Sequence, residues 1–77
     1  MALFRMLPPA MDREYELFER RPDGVLNWRG VVIGGAEARV RVRLLAVETD
    51  NECFAVRTAD RRVVARVAAE DRAAEAA

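Results

Sequence analysis

The chain predicts an α+β fold, in which a four-stranded antiparallel sheet carries one helix packed on one face (ββαββ). Three observations lead there. Two pairs of short β-type segments are each joined by turn chemistry. One Ala-, Val- and Leu-rich segment, long enough for several helical turns, separates the pairs. Pro, Gly, Asp and Asn punctuate the boundaries between them.

The first strand is read over 14–20, where Tyr15 and Leu17 alternate with Glu14 and Glu16, the period-2 pattern of a half-buried strand. Arg21-Pro22-Asp23-Gly24 has a type I turn signature, because Pro presets φ at the second position and Gly accepts the exit geometry. Residues 25–33 are β-branched and aromatic, and long enough to pair back as a hairpin. Gly34-Gly35 then breaks the strand.

Residues 36–48 admit two readings. As a strand, Val40, Val42 and Leu44 would share one face and Arg39, Arg41 and Arg43 the other. As a helix, Ala38, Val42, Leu45 and Ala46 share a face, with Val40, Leu44 and Val47 widening the apolar side. Length, Ala content, Glu37 in the first turn and the break in alternation at Leu44-Leu45-Ala46 favour the helix. Asp50-Asn51 closes it, with Asn51 suited to a left-handed cap. Strands at 52–57 and 63–67, joined by a turn over 58–62, form the second hairpin.

The domain organisation follows. Residues 1–11 read as an apolar arm that Pro8-Pro9 keeps from being helical. Residues 12–67 form a single domain. Residues 68–77 are an Ala-rich tail able to form a short helix but with little to bury.

Composition narrows the chemistry. The chain has 77 residues with no His, Lys, Ser or Gln, and one Cys. No catalytic residue, cofactor site or metal site is read from it, and an enzyme is not expected. Cys53 lacks an activating His or Lys and reads as a small buried hydrophobe. Gly34-Gly35 reads as a tight connection rather than an anion cradle, since no Gly-x-Gly-x-x-Gly or Gly-Lys-Ser/Thr spacing accompanies it. Glu14 and Glu16, about 7 Å apart on one strand face, read as a solvated face with cross-strand Arg partners. No small-molecule substrate is indicated. The single Cys and the lack of a long apolar stretch make the cytoplasm the expected compartment. The Ala, Val and Arg bias fits GC-rich coding in a bacterial source.

The spacing of Tyr15-Glu16-Leu17-Phe18, Pro22-Asp23-Gly24, Trp28, Glu37-Ala38, Leu45-Ala46, Thr49, Glu52-Cys53-Phe54 and Val63-Val64-Ala65 resembles a set of short uncharacterised bacterial proteins with strand–strand–helix–strand–strand order. The resemblance covers about residues 13–67. It implies an architecture and no activity.

The function expected from these readings is a small non-catalytic module for protein interaction or self-association. A domain this small buries a modest core, so a homo-oligomer or another protein partner is expected. The interface candidates are Trp28, Phe18, Tyr15, Phe4 and Leu7: the aromatics are anchor types, and Phe18 is out of phase with Tyr15 and Leu17. The alternative is a nucleic-acid-binding module using Arg39, Arg41, Arg43, Arg61 and Arg62. Thirteen basic residues against thirteen acidic ones give no basic footprint, which makes nucleic acid the lesser expectation.

Overall fold

A computed structural model describes residues 12–68. Its elements are β1 (Glu14–Arg20), β2 (Leu26–Ile33), α1 (Gly35–Glu48), β3 (Glu52–Arg57) and β4 (Arg62–Val67). The strands form one antiparallel sheet in the order β2-β1-β3-β4, so the two hairpins join through β1 and β3. The helix lies over one face, closer to β3 and β4 than to β2. This is the expected ββαββ architecture, with strand ends within a residue of those read from the sequence. The apolar arm and all of the Ala-rich tail beyond Ala68 fall outside the described residues.

The first turn forms as its residues dictate. The Gly24 N–H donates to the Arg21 carbonyl at 2.9 Å, and Gly24 sits at φ 90°, where an L side chain is disfavoured. At the β2–α1 junction Gly34 sits at φ 100°. It donates to the Arg13 carbonyl at 2.7 Å and accepts from the Ala38 N–H at 3.0 Å, so it anchors the end of β2 and the first helical turn together.

The core is the layer between helix and sheet. Ala38, Val42 and Leu45 project from the helix onto Tyr15, Leu17, Val32, Cys53 and Ala55, with Ala65 and Val67 of β4 at the margin. The i, i+4, i+7 spacing of the helical three makes the buried stripe. Small Ala38 and Ala55, both fully buried, let helix and sheet approach closely.

Two local expectations need correction. Asn51 is not left-handed, since Arg61 is the positive-φ non-glycine residue in the described chain. The helix instead ends at Thr49 in extended backbone (φ −143°), and Asn51 is drawn to a carboxylate. Nor do Val40, Leu44 and Val47 widen the buried side. They lie on the opposite surface of α1, exposed, because the sheet is met by a stripe only about one residue wide.

Both edge strands carry an irregularity. On β2, Leu17 pairs with Gly30 and Phe18 with Trp28, leaving Arg29 as the extra residue. On β4, Ala55 pairs with Ala65 and Val56 with Val63, leaving Val64. Such bulges shift which face the following side chains occupy.

Replacing Gly34 with Ala forces an L residue into this left-handed junction. The expected cost is about 1–2 kcal/mol, read as a lowered urea midpoint at unchanged m-value. An unchanged midpoint would mean that the junction relaxes to a negative φ.

Candidate protein-docking face

The side of the sheet away from the helix is built from two rows running across the strands. One row is Trp28, Phe18, Phe54 and Arg66. The other is Val31, Glu16, Val56 and Val63. Ile33 and Leu26 extend the apolar strip at either end of β2. The bulge at Arg29 creates this strip: were Arg29 paired in unbroken alternation, Trp28 and Leu26 would fall on the face opposite Val31 and Ile33.

The aromatic row is ordered by its own contacts. Phe18 and Phe54 stack with centroids 5.6 Å apart and planes 24° apart, a favourable offset arrangement. Arg20 lies over the Phe54 ring at 5.3 Å. Arg20 and Arg66 both donate to Glu52, at 2.9 and 2.5 Å, and these bonds hold the Glu52 carboxyl below its usual range, Arg66 foremost. Phe54 is 6 % exposed, on the face of the sheet opposite α1. Trp28 at the other end is 58 % exposed, its indole N–H donating to Glu16 at 3.2 Å. Leu26, Val31, Ile33 and Val63 are exposed as well. The face is thus graded, with a charged clamp over Phe54 and an open apolar strip along β2.

The expected interface residues divide accordingly. Trp28 and Phe18 lie on this face. Tyr15 points to the other side and is buried in the core beneath the start of the helix, its hydroxyl close to Gly35. Phe4 and Leu7 lie outside the described residues. Leu26, Val31, Ile33 and Val63 were not singled out from sequence. A bulge rephases a strand without changing its composition, and the Arg29-Gly30 pair in mid-strand was the one available sign of it.

The five arginines do not form a single row. Arg41 turns to Glu37 one helical turn away, at 3.1 Å. Arg39 and Arg43 flank the other side of α1, where they rim a groove of about 210 Å³ floored by Val42 and by Val64–Val67 of β4. Arg61 occupies the β3–β4 turn at φ 62°, and Arg62 begins β4.

Glu19 is the polar centre that sequence reading passed over. It lies on the helix-facing side of β1, with its side chain 8 % exposed. It accepts from Thr49 Oγ1 at 2.6 Å, Asn51 Nδ2 at 2.6 Å and Arg29 Nη1 at 2.7 Å. The Thr49 bond, then the Asn51 bond, outweigh desolvation, and with the Arg29 charge they lower its pKa from 4.5 to about 2. A carboxylate this well paired is ionised throughout the neutral range. Its role is to tie β1, β2 and the α1–β3 loop together. Cys53 is fully buried, with its thiol near the Asn51 carbonyl at 3.5 Å, a packing position.

Among the described residues no cluster of three His, Cys, Asp or Glu side chains is arranged to hold a metal ion. No described helix is long and apolar enough to cross a membrane. The described residues form a two-layer α+β domain in which the helix covers one sheet face and leaves the other uncovered. The chain matches no family model, no curated protein and no solved structure.

The pairing of Glu19 sets an acid limit. Its pKa is depressed on folding, so its contribution is complete above about pH 4.5 and is lost as pH falls towards 2. The Arg29 partner is 35 % exposed, so solvent screens part of the full linkage value, leaving about 2 kcal/mol. Glu19→Gln is expected to lose about that much at pH 7 and to flatten the fall in urea stability between pH 4.5 and 2. A Gln variant whose acid profile matches the parent would place the acid-sensitive group elsewhere.

Proposed function

We propose that this protein is a small non-catalytic interaction module that binds a protein, a second copy or a different chain, through the uncovered face of its sheet. The observation carrying the reading is the exposed strip Leu26, Trp28, Val31 and Ile33, held on one face by the Arg29 bulge. Contiguous exposed apolar surface of this kind marks docking sites in water-facing proteins. A Trp at its centre with Arg and Glu groups at its margin has the make-up of an interface anchor and rim. Docking face to face is favoured over adding a strand at an edge, since bulges at both β2 and β4 are features that keep edges from pairing.

A nucleic-acid reading has one supporting observation, the pair Arg39 and Arg43 beside the β4 groove. It is the weaker reading because Arg41 is engaged with Glu37 and the chain is neutral overall.

Immobilised protein and its Trp28→Asp and Val31→Asp variants test both readings. The parent is expected to retain a defined set of proteins that both variants lose while still unfolding cooperatively; the new carboxylates stand beside Glu16, so a small fall in melting temperature accompanies each. Identical retention by parent and variants would contradict docking through this face. Salt-sensitive retention of random single-stranded DNA, lost on Arg39→Glu and Arg43→Glu, would favour the second reading.

A further inference from the structure

The helix presents a second unpartnered surface. Val40, Leu44 and Val47 are exposed, Val47 to 84 %, and their 4-then-3 spacing forms one stripe along the outward side of α1. A helix that is apolar on two opposite sides is normally covered on both. The flanks of this stripe are sorted by charge. On the β4 side stand Arg39 and Arg43, both cationic. On the β2 side stand Glu37, Arg41 and Glu48, with Arg41 already bonded to Glu37.

We infer that a second copy of this chain occupies the stripe, with the two α1 helices packed side by side and parallel about a two-fold axis. The charge sorting selects both occupant and direction. In a parallel pair the cationic flank of each helix meets the acidic flank of the other, and Arg43 falls opposite Glu48 of the partner copy, five residues on, twice by symmetry. In an antiparallel pair like flanks would meet, setting Arg39 and Arg43 against their own copies. Glu48 is free to turn outward: its side chain is 66 % exposed and its contact with Arg29 is long, at 3.5 Å. Three side chains make a short seam beside the roughly 800 Å² per partner of a standard interface, so the pair forms at raised concentration. It leaves the uncovered sheet face of each copy available, and does not depend on the docking role proposed for that face.

Sedimentation velocity over a concentration series tests this. The parent is expected to move from one-chain to two-chain mass as concentration rises, and Leu44→Asp to stay at one-chain mass. Val47→Asp serves the same purpose at a position too exposed to affect folding. Arg43→Glu and Glu48→Arg are each expected to weaken association about tenfold, and the double variant Arg43→Glu/Glu48→Arg to recover to within about threefold of the parent. The series is run in a Trp28→Asp background, which removes self-association through the sheet face, and the same pattern is expected there. A parent that stays single-chain throughout, a pair that survives Val47→Asp, or charge reversals that do not compensate each other would overturn the inference.

Discussion

One 14-residue helix over one side of a four-stranded sheet is the constraint from which the rest follows. A sheet has two faces, and among the described residues a helix covers one. Only Ala38, Val42 and Leu45 are needed to seal that layer, and the small residues opposite them permit close approach. Beyond Tyr15, Leu17 and Val32, which meet the helix from the sheet, many of the large apolar side chains lie outside that layer. Some do so by self-covering, as Phe18, Phe54 and the guanidinium of Arg20 show. Trp28, Val31 and Ile33 on the sheet, and Val40, Leu44 and Val47 on the helix, remain open to solvent. An outer surface apolar on both layers is the physical basis for reading the domain as an associating one.

The two layers are locked together by polar chemistry at one end. Glu19 gathers Thr49, Asn51 and Arg29, drawing groups from the α1–β3 loop and the β2 bulge onto β1. Three charge-assisted bonds repay the cost of burying the carboxylate, which is why its pKa falls rather than rises. The same bulge therefore does two jobs: Arg29 reaches inward to Glu19, and Leu26 and Trp28 before it share the uncovered face with Val31 and Ile33 after it. At the other end, Gly34 joins Arg13 and the first helical turn through backbone bonds alone.

Most of the architecture was legible in the residues. Alternation fixed β1, the Arg21-Pro22-Asp23-Gly24 turn fixed the hairpin, and the break in alternation at Leu44-Leu45-Ala46 separated helix from strand. The phase of Phe18 against Tyr15 and Leu17 placed one aromatic on each face. The composition of the uncovered face was not legible, because it depends on Arg29 being skipped in the β1 pairing, a register event with no compositional mark beyond Gly30. Glu19 was equally hidden. Its partners are 30 and 32 residues away in sequence, and only the loop geometry brings Thr49 and Asn51 to it. The left-handed cap expected at Asn51 failed for the same reason, since its side chain is committed to that carboxylate.

The claim at the centre of this account is that Trp28 stands on an uncovered sheet face. As the chain's single Trp, it reports on that face without interference. Its fluorescence, measured with acrylamide quenching at the lowest workable protein concentration, tests the claim most directly. A Trp28 on an uncovered face emits near the wavelength of a water-exposed indole and is quenched efficiently. Blue-shifted emission that acrylamide barely quenches under those conditions would place Trp28 inside the fold and contradict it.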